Sequence, residues 1–173
     1  DRIAIYGFAF LPQRIKAQRM ISESSLPKRD IRLAINKDTL EFLKDAGYVH
    51  IGMDHFALPT DSLAIALKEH NLQRNFQGYA THAECDQIGL GVSSISQVND
   101  SYSQNSSTLM EYYAHLDAGE LPIKRGASLN QDDLIRAQVI QYIMCQNTVP
   151  FHSIESTFGI TFLSYFKDEL QAL

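Results

Sequence analysis

Cysteine, positive charge and long apolar runs are all scarce in this sequence, and each scarcity excludes a class of protein. Its two cysteines, Cys85 and Cys145, stand sixty residues apart. Two are too few for a disulfide framework, and one pair cannot supply a tetrathiolate or Cys-rich site. The formal net charge is −5, which argues against nucleic acid as a partner, since a phosphate backbone needs a concentrated positive face. The one basic stretch, Lys28 to Arg32, is broken by Asp30 and reads as the solvated face of a helix. No apolar run approaches the roughly 18 residues of a membrane span and no basic-plus-apolar leader opens the chain, so the expectation is a cytoplasmic protein with no membrane partner. Tryptophan is absent and prolines number five, yet 45% of the residues are hydrophobic and 20% charged. That balance describes a folded chain with a core rather than a disordered one.

Ile3 to Phe8 is a β-rich run that Pro12 closes, and its lack of strict alternation predicts a strand covered on both faces, as in a parallel sheet. The strand pattern begins at Asp1-Arg2 without a lead-in, as expected of an excised fragment. Gln13 to Ser25 reads as a loop carrying a short helix. Pro27 then precedes an approximate three-to-four-residue period in Ile31, Ala34, Ile35, Leu40, Leu43 and Ala46, and Gly47 supplies a stop. Tyr48 to Met53 comes next as a second buried strand, completing a strand–helix–strand unit. A short helix capped by Thr60 or Asp61 runs on to His70. Beyond residue 70 come Gly- and Ser-containing β-like segments. From Ser106 the pattern is mostly helical: Leu109, Tyr112, Tyr113 and Leu116 share a face, Asn130 caps a helix carrying Ile135, Val139, Ile140 and Ile143, and Gly159 marks a turn between two short final segments. The breadth of apolar residues predicts that the Asn130-capped helix is well buried, and the tyrosine-bearing face is expected to pack in a core or interface.

Several side chains are candidates for chemistry. Asp54-His55, beside Phe56 at the end of a predicted strand, has the residue types for proton exchange, metal binding or support of a loop; loop support is the simplest reading. His82, Glu84 and Asp86 alternate and would share a strand face, though nothing in the sequence forces a fourth metal ligand. Gly89-Leu90-Gly91 lacks the third glycine of a dinucleotide fingerprint and the Lys-Ser/Thr of a P-loop, so a tight backbone course is the better account. Gln77-Gly78-Tyr79 could orient a planar polar ligand or form a self-packed polar loop. Tyr102, Tyr112 and Tyr113 lack the interleaved cations of a nucleic-acid platform. Ser93, Ser94 and Ser96 sit in no nucleophile elbow.

Three strings in order carry a resemblance: Gly52-Met53-Asp54-His55-Phe56-Ala57-Leu58-Pro59, Leu72-Gln73-Arg74-Asn75-Phe76-Gln77-Gly78-Tyr79, and Gly89-Leu90-Gly91-Val92-Ser93-Ser94-Ile95-Ser96. They resemble the downstream part of the oxygen-independent coproporphyrinogen III oxidases, a radical S-adenosylmethionine (SAM) family. The resemblance implies an α/β chain: the C-terminal part of an incomplete radical SAM (β/α)6 barrel followed by a mainly helical domain. On that pattern, residues 1–72 are the last βα units, 73–105 a cavity-lining β/loop segment and 106–173 a truncated helical covering domain.

The implied reaction of the whole enzyme is oxidative decarboxylation of two propionates of coproporphyrinogen III to vinyl groups, giving protoporphyrinogen IX for haem. S-adenosylmethionine and a [4Fe–4S] cluster are the implied cofactors, and a reducing protein the implied electron donor. Ala9 and Ile95 match family positions that contact S-adenosylmethionine, and Phe76 and Gln77 match positions near a second molecule of it. Asp54, His55 and Phe56 match a family string expected to support the cavity structurally. No catalytic side chain and no metal ligand are implied within this chain, because the family's Cys-x-x-x-Cys-x-x-Cys is not in it. Phe10 stands where the family pattern has histidine. The chain alone is expected to be inactive and to self-associate through exposed edges. Other readings are a non-catalytic tetrapyrrole- or protein-binding homologue of the same fold, or a different radical SAM enzyme.

Overall fold

The computed structural model describes residues 1–82 and 85–173, which divide into two compact units, Asp1–His70 and Asn71–Leu173. In the first unit, β1 (Arg2–Ala4) is followed by two 3-10 turns, Lys16–Met20 and Glu23–Ser25, then α1 (Arg29–Asp45), β2 (Val49–Gly52), β3 (His55–Ala57) and α2 (Ser62–Lys68). Gly47, at φ +87°, lets the chain leave α1. Asp61 caps α2 by accepting the Leu63 N–H at 2.8 Å, and both of its oxygens accept from Arg2 Nε.

Two expectations for this unit are corrected. The strand read over Ile3–Phe8 closes at Ala4, and residues 5–11 run irregularly. The parallel pairing expected of β1 and β2 is replaced by the order β1-β3-β2, with β3 antiparallel to both. The cause is a reversal at Gly52-Met53, where Gly52 has φ +157° and Met53 +46°. It returns the chain as β3, between its two predecessors. Leu43, Ile51, Phe56, Ala57, Leu63, Ala64 and Ala66 form the buried apolar set of this unit, whereas Ile31 and Ile35 on α1 are exposed. The periodicity of α1 is real, but only Leu43 of it is buried.

The second unit opens with the hairpin β4 (Gln73–Asn75) and β5 (Gly78–Ala80), then a three-stranded antiparallel sheet of β6 (Ile95–Val98), β7 (Ser101–Asn105) and β8 (Ile123–Ser128), with α3 (Leu109–Asp117) between the last two strands. The pairing of β7 with β8 ties the middle segment to the chain beyond Ser106. The chain ends in α4 (Gln131–Gln146), α5 (Phe151–Phe158), α6 (Phe162–Tyr165) and α7 (Lys167–Gln171).

Asn130 and Asp133 form a reciprocal capping box at the start of α4, each side chain accepting the other's N–H at 3.0 Å. Ile135, Ile154, Phe162 and Phe166 make the core of these helices, with Val139, Tyr142, Phe158 and Tyr165 packed against it. Fully burying one such side chain stabilises by roughly 1.5–3 kcal/mol. The expectation that α4 is buried over its width is corrected: Ile140 and Ile143 are exposed, because α4 is covered only where the helical core meets Ile135 and where the helix buries Cys145. Leu109, Tyr113 and Leu116 are exposed too, so the α3 face is not core within this unit. No helix among the described residues is long and apolar enough to cross a membrane.

Candidate functional site

Phe76 and Gln77 are the two-residue tip of the β4–β5 hairpin, where Asn75 pairs with Gly78. Gly78 takes φ +128°, and Asn75 Oδ1 accepts the Gln77 N–H at 2.8 Å, so backbone and side chain together fix the turn. The tip presents Phe76 largely exposed, its ring edge-on to Tyr102 at 5.2 Å. Ile95 begins β6. Phe76, Ile95 and Tyr102 line one cleft of about 250 Å³ with Gln104, Arg125, Gly126 and Ala127. Two of the sequence-derived site residues, Phe76 and Ile95, thus meet in one place.

What holds Ile95 there is the segment before it. Asn105 is only 8% exposed, and its Nδ2 donates to the carbonyls of Gly89 (3.1 Å) and Gly91 (2.9 Å). The Gly91 N–H is donated to the Tyr112 hydroxyl and the Gly89 N–H to Ser96 Oγ. A Cβ at Gly89 would lie 2.6 Å from the Ile95 carbonyl oxygen, so only glycine permits this approach. Gly89-Leu90-Gly91 thus takes the tight backbone course that its sequence suggested. Asn105, Gln104 and Arg125 are residues that sequence reasoning missed. A polar residue near the end of a β-like stretch gave the only available signal; Asn105 and Ser106 are both buried, and it is the pair of carbonyls met by its side chain that sets Asn105 apart.

In the first unit, Ala9 is exposed on the wall of a cavity of about 510 Å³, lined also by Tyr6, Phe8, Phe10, Arg32, Asn36 and Thr39. Asp54, His55 and Phe56 stand at the β2–β3 reversal. His55 Nδ1 and Asp54 Oδ1 are 2.9 Å apart. The His50 ring lies 4.9 Å from that of buried Phe56, while its Nε2 sits 2.8 Å from the Met53 carbonyl oxygen. These contacts are ones that brace a turn. Of the alternating trio His82, Glu84 and Asp86, Glu84 lies outside the described residues, and Asp86 accepts the Asn99 N–H at 2.9 Å. No cluster of three metal-ligating side chains occurs among the described residues. Cys85 is exposed. Cys145 is buried, and burial pushes its thiol pKa upward.

Several charged groups of the second unit form structural pairs. Asp132 accepts from the Tyr165 hydroxyl and from Arg136, which also pairs with Glu169 at 2.7 Å. The Tyr165 hydrogen bond and then Arg136 hold the Asp132 carboxyl below its usual range. Arg136 does the same for Glu169, and Lys124 for Glu111.

Such a fold corresponds to a stretch of a radical SAM enzyme. A solved structure of coproporphyrinogen III oxidase from Escherichia coli, a radical SAM enzyme, superimposes with a TM-score of 0.95 at 41% identity, over 99% of this chain and 39% of that one. The sequence relatives are more particular: the chain is homologous to a stretch of proteins named oxygen-independent coproporphyrinogen III oxidase. It is 50% identical to that of Pseudomonas aeruginosa over 97% of this chain and 36% of the relative, and 45% identical to that of Synechocystis over 100% and 38%. The chain thus spans little more than a third of the length of these relatives. No family model matches it.

Proposed function

We propose that the intact gene product containing this chain is an oxygen-independent coproporphyrinogen III oxidase of the cytoplasm, converting two propionates of coproporphyrinogen III to vinyl groups with loss of carbon dioxide. Identity of 40–50% to relatives of that name, running through the whole chain, is the observation that carries this reading. The first unit would be the last part of the (β/α)6 barrel. In support, β1 and β2 run parallel to one another, being each antiparallel to β3, and α1 connects them. The helices after Asn130 would belong to the covering domain.

A [4Fe–4S] cluster does not fit the residues of this chain. It takes three clustered thiolates, and the exposed Cys85 and buried Cys145 are two separate ones. The chain by itself is inactive on this reading. S-adenosylmethionine fits better: Ile95 and Phe76 offer an apolar cleft, and Ala9 lines a cavity of ligand size between aromatic walls. When bound, it supplies the chemistry that removes a hydrogen atom from each propionate side chain. The work of this chain is then placement. Ala9 and Ile95 would each give apolar contact to S-adenosylmethionine, Phe76 and Gln77 would lie near a second molecule of it, and Asp54, His55 and Phe56 would keep the β2–β3 turn rigid. Apolar walls keep water from a radical, as such chemistry requires.

The test is anaerobic incubation of the complete gene product with coproporphyrinogen III, S-adenosylmethionine and a reducing protein, with product analysis. Protoporphyrinogen IX with release of two carbon dioxide molecules is expected; unchanged substrate refutes the reading. Iron and sulfide reconstitution of residues 1–173 alone should give no stoichiometric cluster absorption.

A further inference from the structure

Resting on that reading, we infer that Arg125 anchors a carboxylate of a ligand seated against Phe76, Ile95 and Tyr102. The sheet register sets the geometry. Ile95 stands opposite Gln104, and Gln104 opposite Arg125; one step along, Gln97 stands opposite Tyr102 and Tyr102 opposite Ala127. Directly paired and alternate residues share a face, so Ile95, Tyr102, Gln104, Arg125 and Ala127 project together into the cleft that Phe76 closes.

Within that face Arg125 is held in place. Its Nε donates to Gln104 Oε1 at 2.7 Å, while Gln104 Nε2 donates to the Ser93 carbonyl oxygen at 3.0 Å. Both ends of the Gln104 amide are occupied, so its oxygen is held where it accepts from Nε and orients the solvent-exposed guanidinium. The two Nη nitrogens make no hydrogen bond or ion pair among the described residues. Among the described residues Arg125 is also the only charged one lining the cleft, and the rest of that lining is largely carbon. A bracketed guanidinium presenting two free N–H groups edge-on matches a carboxylate, two parallel hydrogen bonds giving both strength and orientation. At about 250 Å³ the cleft takes one acidic arm and part of an apolar body rather than a whole large ligand. Two ligands of the proposed reaction carry such a group: the tetrapyrrole, through a propionate, and S-adenosylmethionine, through its amino-acid carboxylate.

Binding to the complete gene product separates these sources. Coproporphyrin III is titrated by fluorescence and S-adenosylmethionine by calorimetry, against the wild type, Arg125→Gln and Arg125→Lys. For the ligand whose carboxylate is held, Arg125→Gln weakens binding about tenfold, a value kept modest because the site is open to solvent. Arg125→Lys restores part of the loss, since it keeps the charge and loses the fork. If the tetrapyrrole is that ligand, its tetramethyl ester binds wild type and Arg125→Gln alike. Affinities for both ligands within twofold of wild type in Arg125→Gln overturn the inference while leaving the proposed function standing. Failure of the wild type to bind either ligand brings down both.

Discussion

Replacing Asn105 by Asp is the sharpest probe of how the cleft is held, because it changes one atom in a buried cage. Asn105 donates two hydrogen bonds from one nitrogen, to the Gly89 and Gly91 carbonyls, while its own N–H is donated to the Ser94 carbonyl at 2.9 Å. Asp keeps the shape and the backbone bond but turns the donor into an acceptor facing two acceptors. Each lost hydrogen bond removes about 1 kcal/mol net, and an unsatisfied buried group costs about 1–3 kcal/mol. Gly89 and Gly91 are half-buried, so water can satisfy their carbonyls in part, and the combined loss is about 2 kcal/mol. At about 1.4 kcal/mol per tenfold, that is roughly thirty-fold in an opening equilibrium. Amide hydrogen exchange on the folded protein reads this directly: the Gly89, Gly91 and Ser93 amides, held by Ser96, Tyr112 and the Ser106 carbonyl, should exchange about thirty-fold faster in Asn105→Asp. The core amides of α4 should not change. Wild-type protection at all three loop amides in the variant refutes the reasoning that Asn105 organises the segment.

Two further predictions concern the scaffold. Ile154 is 1% exposed and Ile140 58%, so Ile154→Ala should lower unfolding stability by about 2–5 kcal/mol and Ile140→Ala by less than about 0.5 kcal/mol, as measured by the denaturant midpoint. Asp61, lowered chiefly by its hydrogen bond with Arg2, and Glu111, Asp132 and Glu169 all have pKa values below their ordinary range in the folded state. The unfolded chain therefore takes up protons first as pH falls. The stability these groups add is present above about pH 4 and lost progressively below it, which thermal melts from about pH 6 to about pH 3 should show, with Asp132→Asn flattening the profile.

Local chemistry determined what the sequence alone made legible. Gly47 and Gly159 end helices at positive φ, Asp61 and Asn130 cap two others, and the Gly89-Leu90-Gly91 turn takes a close backbone course, all because conformational freedom and capping act within a few residues. The three ordered strings likewise pointed to the family to which the relatives belong. Tertiary structure decided the rest. Strand β3 occupies the place between β1 and β2 because the chain reverses at Gly52-Met53, and a strand's partner is chosen by chain path, not by composition. Phe76 and Ile95 meet Tyr102 and Arg125 only through the register of three strands and a hairpin tip. Which side of α4 is core depends on where Phe162 and Phe166 arrive. Long-range pairing and burial are properties of the assembled chain, and helical periodicity alone does not show which apolar face another element covers.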